Sequence, residues 1–293
     1  MTFAVVLDKS YLDGARRASV RHLCDNYTVL LSDELFYELM TTRPDSRKHC
    51  FSKLPERQNP VRLVPNVGAL IRFEREHKEA CTPIIRQCFG DDYVFNRLLR
   101  EGTYVLNGEV DDKLQRLKAQ VAADTRVLID RWPTVHGFFP ELNGIEWNDF
   151  PNAVQTARRK VATDINFVRE IYASCLDEDA RRDSPAPADL DSRWAIFRSI
   201  QCNILCDLRL FGRYQGKPPV EFSEVFVTKA EHSMLDTSYV ILGSLTGAMA
   251  TNDGEILEDL LLLCPDCFLV SPKTVIDTGA NSLQGTRDEA ERH

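Results

Sequence analysis

Four carboxylates in this chain stand where short apolar segments give way to polar residues, and together they could bind a divalent cation. Asp8 and Asp253 each closely follow an apolar run, whereas Glu38 and Asp236 lie in amphipathic stretches between them. Mg²⁺ and Mn²⁺ prefer carboxylate oxygens, and a site made of oxygen alone does not favour Zn²⁺. The four residues therefore form a candidate Mg²⁺ or Mn²⁺ site, provided that the fold brings them together.

The segments around these residues alternate between strand and helix patterns. One predicted helix carries Glu38 and can be capped by Ser32 or Asp33. Strands are predicted at 5–7, 28–31, 247–250 and 268–270, and further helices at 15–24, 235–245 and 255–263. Such alternation predicts an α/β fold with a parallel sheet, whose ligands gather at the carboxyl ends of the strands.

The order and context of these acids resemble those of the PIN-domain nucleases. In that family a first strand ends in Asp followed two residues later by Ser or Thr, here Asp8 and Ser10. A helix then carries a Glu, here Glu38. Later a helix begins at an Asp, here Asp236, and the next strand ends in a Thr-Asn-Asp turn, here 251–253. This turn is the most specific part of the match.

The resemblance covers roughly residues 1–55 and 224–275 and implies a β-α-β core, and the long segment between its two parts is predicted from its periodicity to be a large all-helical insertion. We expect the PIN-like nuclease core at 1–60 and 220–276, the helical insertion at 61–219 and a disordered tail at 277–293. The insertion departs from compact family members. Its 3.6-residue periodicity predicts helices at 68–89, 92–100, 111–132, 150–176 and 190–214, with a polar linker at 177–189.

The resemblance also assigns roles to the acids. Asp8 and Asp253 would bind the cation directly or through water, and Asp236 would close the site. Glu38 would bind through water or orient the attacking water. A bound cation can lower the pKa of water, polarise the scissile phosphate and stabilise the leaving oxygen.

Four neighbouring residues are candidates for supporting roles. Ser10, Thr251 and Asn252 could fix the carboxylates through hydrogen bonds. Glu255 falls where the family often has another acid, and it is an auxiliary residue in this interpretation.

Each acid also has an ordinary structural interpretation. Asp253 before Gly254 can be a turn residue and helix N-cap, and Asp236 can cap its own helix. Asp8 can be a strand-end residue, and Glu38 a solvated helix residue. The joint occurrence of all four in the family's order favours the metal site.

Cationic residues cluster in the predicted insertion and could contact phosphate groups. The candidate substrate-binding residues are Arg158, Arg159, Lys160 and Arg193, with Lys229 shortly before Asp236. Cations interleaved with aromatics are typical of single-strand binding surfaces. The alternative is a solvated helix face, which the nearby acids favour.

Composition bounds the class of protein. The formal charge of −8 argues against a uniformly basic nucleic-acid surface but leaves room for a local basic face. No run approaches the ~20 apolar residues of a membrane span. Nine cysteines without a regular spacing predict reduced thiols and a cytoplasmic location. Zinc binding by Cys202, Cys206, Cys264 and Cys267 is the less favoured alternative to burial as small apolar side chains.

The sequence therefore predicts a cytoplasmic, Mg²⁺- or Mn²⁺-dependent nuclease that hydrolyses phosphodiester bonds. The resemblance favours RNA as substrate and a toxin or defence role. The helical insertion could bind substrate, a protein partner or an inhibitor, and a homo-oligomer is compatible with the sequence. The alternatives are a flap or single-strand DNA nuclease of the same fold and an inactive PIN-like scaffold that binds a protein partner.

Overall fold

The computed structural model describes residues 3–84, 95–146, 148–219 and 221–272. The predicted tail at 277–293 lies outside these ranges. The strands are β1 (Ala4–Leu7), β2 (Thr28–Ser32), β3 (Arg62–Val64), β4 (Ala248–Ala250) and β5 (Phe268–Val270). The α-helices are α1 (Lys9–Gly14), α2 (Arg17–Asn26), α3 (Asp33–Thr41), α4 (Pro44–Ser52), α5 (Val67–His77), α6 (Leu98–Glu101), α7 (Gly108–Arg131), α8 (Phe150–Thr163), α9 (Ile165–Ser174), α10 (Glu178–Asp183), α11 (Ala195–Tyr214), α12 (Glu224–Thr246) and α13 (Gly254–Leu263).

The strands form one five-stranded parallel sheet in the order β3-β2-β1-β4-β5. Successive residues of β1 and of β4 are all buried, so neither face of these central strands is open to water. Burial on both faces is the environment of a parallel sheet covered by helices, and it explains the uninterrupted apolar runs in the sequence. The predicted α/β fold with a parallel sheet is confirmed.

The sheet has one strand more than the sequence predicted. β3 pairs with β2 in parallel, with Leu31 opposite Leu63. It lies at 62–64, inside the range assigned to the helical insertion, so the predicted boundary at residue 60 is too early. Three residues are too few for a periodic pattern, which is why this strand carries no signal in the sequence.

Helix α12 differs most from its prediction. It begins after the N-cap Ser223, whose side chain accepts a hydrogen bond from the Phe226 amide at 3.3 Å. Asp236 therefore lies in the middle of this helix, and the prediction that a helix begins there is wrong. At the other end Gly247 adopts φ +70°, a left-handed conformation that suits glycine and turns the chain directly into β4.

The predicted insertion is largely helical, but several of its helices are shorter than the periodicity suggested. Helix α7 agrees with its prediction. The predicted helix at 150–176 is split into α8 and α9 at Asp164, whose side chain caps α9 by accepting from the Phe167 amide at 3.0 Å. The helix predicted at 68–89 is observed as α5, which ends at His77. The helix predicted at 92–100 is observed in part as α6, and residues 85–89 and 92–94 of these two predictions lie outside the described ranges. The predicted linker at 177–189 contains the short helix α10.

A buried glutamate ties the insertion together. The Glu74 carboxylate on α5 accepts hydrogen bonds from the amides of Ala195 at 2.6 Å and Ile196 at 2.8 Å, at the start of α11. Burial raises the pKa of Glu74, and these amide donors oppose the rise. Helix α11 then packs against α12, and residues of both belong to the apolar core that surrounds the sheet. Within the described ranges, no helix is both long and apolar enough to cross a bilayer.

Candidate metal centre

Asp8 lies at the carboxyl end of β1, and the sheet itself places its partner. Leu7 is opposite Ala250 in the parallel ladder, so the next residues, Asp8 and Thr251, are also adjacent. The Thr251 hydroxyl donates to Asp8 Oδ2 at 2.7 Å, and the Ser10 hydroxyl donates to the same oxygen. Burial raises the pKa of Asp8 to about 6, while the Ser10 and Thr251 hydrogen bonds oppose the rise. Asp8 is thus a fixed, buried carboxyl group.

Ser10 also ties the Thr-Asn-Asp turn to the first strand. Its hydroxyl accepts from the Asn252 amide at 2.9 Å, and its oxygen lies 3.2 Å from the Thr251 hydroxyl. Thr251 Oγ1 in turn accepts from the Asp253 amide at 3.0 Å. Ser10 and Thr251 therefore make the predicted hydrogen bonds to the Asp8 carboxylate, whereas Asn252 takes part through its backbone and its side chain is exposed.

Glu38 projects from α3, and its carboxylate has two partners, one cationic and one neutral. Lys9 Nζ lies 3.2 Å from Glu38 Oε1, and the Tyr239 hydroxyl donates to Oε2 at 2.8 Å. Burial and the charges of Glu38 and Asp8 raise the pKa of Tyr239 well above its ordinary value, so it remains a neutral donor. Neither Lys9 nor Tyr239 was identified from the sequence. Tyr239 follows Asp236 by one helical turn, and this spacing is the available signal.

Asp236 reports the proximity of the other three acids. Its pKa is raised to about 8, first by burial and then by the negative charges of Asp253, Asp8 and Glu38, in that order. Arg209 lowers it. The side chain is partly exposed and makes no hydrogen bond or ion pair with any described residue. The four predicted acids are therefore close enough to repel one another, and Asp236 holds a proton at neutral pH.

Asp253 caps helix α13. Its Oδ1 accepts from the amides of Glu255 at 2.8 Å and Ile256 at 3.1 Å. The ordinary interpretation as an N-cap is thus correct, and it coexists with proximity to the other acids. Glu255 faces elsewhere: Arg209 lies 2.9 Å and Arg213 2.5 Å from its two carboxylate oxygens. Its carboxylate is neutralised by these cations, which weakens its case as an auxiliary acid.

The donor set fits a hard cation in chemistry, since all four side chains offer oxygen and Asp236 has an unengaged carboxyl group. Within the described ranges, no three His, Cys, Asp or Glu side chains stand in an arrangement ready to hold a metal ion. Asp8, Glu38 and Asp253 already accept hydrogen bonds. Loading a cation would therefore require Asp236 to lose its proton and Glu38 to exchange Lys9 for the metal.

The predicted substrate-binding cations are divided by the structure. Arg158 is buried, with Glu258 at 2.7 Å and Asp259 at 2.8 Å, so the prediction that it contacts substrate phosphates is wrong. A buried guanidinium ion-paired to two acids is a structural group. Arg159 on the same helix is exposed.

The other three candidate substrate-binding cations differ in their exposure and in their partners. Lys160 lies 4.5 Å from the centre of the Phe167 ring. Arg193 is exposed, but Asp191 binds it at 2.7 Å. Lys229 is exposed on α12. The cluster at 158–160 is therefore not a single basic surface.

The four cysteines of the alternative zinc site lie in three different parts of the fold. Cys202 and Cys206 are buried in α11, Cys264 follows α13 and Cys267 precedes β5. Burial raises the pKa of both Cys202, to about 12, and Cys206, to about 11, so these thiols keep their protons at neutral pH. Their environment is that of small apolar side chains.

Comparison with family models, with curated proteins and with solved structures finds no match for this chain.

Proposed function

We propose that this protein is a Mg²⁺- or Mn²⁺-dependent nuclease that hydrolyses phosphodiester bonds, with RNA as the favoured substrate. One observation carries the proposal. Asp8, Glu38, Asp236 and Asp253 come from four separate segments, yet the charges of Asp253, Asp8 and Glu38 add to the effect of burial in raising the pKa of Asp236. Repulsion between neighbouring carboxylates destabilises the folded protein, whereas a bound divalent cation makes their proximity favourable. The cluster therefore has the electrostatics of a cation site.

The chain's own residues would prepare this site for catalysis. Ser10 and Thr251 hold the Asp8 carboxylate in one orientation, and Tyr239 holds Glu38. Asp236 would release its proton as a cation binds. When bound, the cation supplies activation of water and charge stabilisation at the phosphate. Lys9, displaced from Glu38, would be free to neutralise a substrate phosphate.

The resemblance to PIN-domain nucleases supports RNA as substrate, a cytoplasmic location and a toxin or defence role. It also leaves the helical segment available for a protein partner or an inhibitor. These assignments rest on the resemblance alone.

A specific observation favours a second candidate, an inactive PIN-like scaffold. The Lys9 ammonium already neutralises Glu38, and Asp253 already caps a helix. Both acids therefore have structural partners without a metal. In a scaffold the cluster would be a remnant, and the helices would serve a binding function.

Calorimetric titration with Mn²⁺ distinguishes the two candidates. The nuclease should bind Mn²⁺, and Asp8→Asn should abolish binding because it removes a buried carboxylate from the cluster. Asp112→Asn, an exposed acid on α7, is the matched control and should bind as the parent does. A parent protein that takes up no Mn²⁺ would favour the scaffold.

Cleavage assays then identify the substrate. Matched RNA and DNA oligonucleotides, single-stranded and flapped, are incubated with the parent in Mg²⁺ and Mn²⁺. Cleavage of RNA that Asp8→Asn loses and Asp112→Asn retains supports the proposal. Preferential cleavage of DNA would replace RNA by DNA while leaving the site assignment intact.

A further inference from the structure

A small cavity of about 160 Å³ lies at the β2-β3 side of the sheet, with α3, α6 and α7 contributing the rest of its wall. None of the four acids of the candidate metal centre lines it. It is smaller than the ~300–1,000 Å³ pockets that enclose drug-sized ligands. Its volume is close to that of an apolar cavity of ~150 Å³, which stays dry and binds one benzene molecule. The volume therefore limits an occupant to about one ring.

The lining of this cavity is largely apolar and partly aromatic. Phe36 on α3, Phe95 before α6 and Tyr104 after it contribute aromatic rings. Leu63 on β3 and Val110 on α7 are among the aliphatic side chains. Aromatic rings pack favourably against one another in offset or edge-to-face contacts. The lining therefore favours an aromatic ring as occupant.

The apolar side chains of the lining are accessible from outside the core. Phe36, Leu63, Tyr104, Val110 and Leu117 all pack against the apolar core, and all keep part of their surface exposed. Transfer of apolar surface out of water is favourable, so a ring that covers these side chains would be stabilised by the water it displaces. The cavity thus offers contact surface that a ligand can reach.

The polar groups of the lining favour neither a cation nor an anion. Lys113 and Asp33 are the charged residues among the described lining residues, and Lys113 Nζ lies 2.7 Å from Asp33 Oδ1. Asn96 Oδ1 already accepts from the Leu98 amide at 2.9 Å. A charged ligand would lose hydration here without gaining an unpaired partner, whereas an uncharged ligand has little hydration to lose. The balance of charge therefore selects an uncharged molecule.

We propose that this cavity binds an uncharged small molecule with a single aromatic ring, held by apolar contacts with Phe36, Tyr104 and Val110. The occupant would lie between α3 and α7, and it would join the first long helix of the predicted insertion to the sheet. The site is independent of the proposed nuclease activity, because none of the four acids takes part in it.

Fluorobenzene is the probe, because it is one uncharged ring whose fluorine is observed directly by NMR. The ions para-fluorobenzoate and para-fluorobenzylammonium carry the same ring with a negative and a positive charge. Each compound is titrated with the full-length protein, and the fluorine chemical shift gives the dissociation constant. Fluorobenzene should bind saturably with a Kd of about 1 mM or below. Both charged probes should bind about fivefold more weakly or worse, because their charges find no free partner.

Two cavity variants and one control test the location. Val110→Phe places a ring in the cavity itself and should lower fluorobenzene affinity about fivefold or more, because side chain and ligand compete for the same volume. Phe36→Leu removes an aromatic wall at a partly exposed position and should lower affinity about threefold. Val225→Phe makes the matched substitution at an exposed position on α12 outside the cavity, and it should bind as the parent does.

Circular dichroism checks the fold of each variant, and a cavity variant that does not fold leaves the decision to the other. Saturable binding of fluorobenzene that the folded cavity variants weaken and Val225→Phe retains would support the site. The proposal is overturned by the absence of saturable binding, or by folded cavity variants that bind as tightly as the parent. It is also overturned if either charged probe binds as tightly as fluorobenzene, or if Val225→Phe loses as much affinity as Val110→Phe.

Discussion

Replacing Asp236 by asparagine should stabilise the metal-free protein above neutral pH and abolish cation binding. The pKa of Asp236 is raised from 3.8 to about 8 in the folded state. Between these two values the folded protein binds more protons at this residue than the unfolded chain does. The free energy of unfolding of the parent therefore falls as pH rises from about 4 to about 8. The asparagine side chain of the variant cannot ionise, so the variant lacks this loss.

The magnitude follows from the size of the shift. The rise of the Asp236 pKa from 3.8 to about 8 corresponds to roughly 5–6 kcal/mol, since each tenfold change in an equilibrium constant is about 1.36 kcal/mol. Asp236 is partly exposed, and solvent screening and local relaxation reduce this to about 2–3 kcal/mol. At roughly 2 °C per kcal/mol for a chain of this size, the melting temperature should rise by about 4–6 °C above pH 8.

The assay is thermal unfolding of parent and variant from pH 4 to pH 9 without metal, with Asp112→Asn as the control. The stabilisation should be small near pH 4, where Asp236 is protonated in the folded protein and only partly ionised in the unfolded chain, and largest above pH 8. Mn²⁺ should raise the melting temperature of the parent and not of the variant. A stability difference that does not change with pH would refute the reasoning from repulsion.

Three further predictions concern residues around the site. Asp253→Asn should lose cleavage while keeping its melting temperature, because Asn caps helices as well as Asp does. Asp253→Ala should lose cleavage and also about 1 kcal/mol of unfolding free energy. Equal unfolding free energies of these two variants in denaturant titration would contradict the capping role. Arg158→Ala should cost roughly 1.5–3 kcal/mol of unfolding free energy, because buried Asp259 loses one of its two arginine partners and keeps Arg209, while the neighbouring Arg159→Ala should be nearly neutral. If both variants unfold at the same denaturant concentration, the ion pair is not structural. Lys9→Met should raise Mn²⁺ affinity about fivefold in calorimetry, because the Lys9 ammonium no longer competes for Glu38. This factor is equivalent to ~1 kcal/mol, the value of a partly exposed ion pair. An unchanged or weaker affinity would show that the ammonium does not compete with the cation.

The sequence predicted the strands of the sheet best where a local residue pattern marks the end of the strand. The apolar run that becomes β1 ends on Asp8, and the Thr-Asn-Asp turn follows β4, so both strand ends were identified from local pattern. β3 was missed because its three residues owe their place to pairing with β2, which is a tertiary contact.

The candidate site shows the same division. The four acids were predicted from their order, and Ser10 and Thr251 were predicted as supporting residues, but Lys9 and Tyr239, the partners of Glu38, were not. The first turns of α12 are mostly exposed, so the apolar periodicity there is faint and its true start at Ser223 was hidden. Arg158 looked like a surface cation because a sequence does not show that Glu258 and Asp259, a hundred residues later, pack against it.

The central position of β1 between β2 and β4 has a consequence for the protein during its synthesis. Asp8 leaves the ribosome more than two hundred residues before its partner Thr251 and the capping residue Asp253. At about 5–20 residues per second, this separation is roughly 12–50 seconds of translation. Throughout that interval β1 has only one of its two neighbouring strands, and the acids cannot meet. The order of strands thus delays assembly of the acidic cluster until nearly all of the described chain has been synthesised, so any activity that depends on the cluster would be absent from the nascent chain.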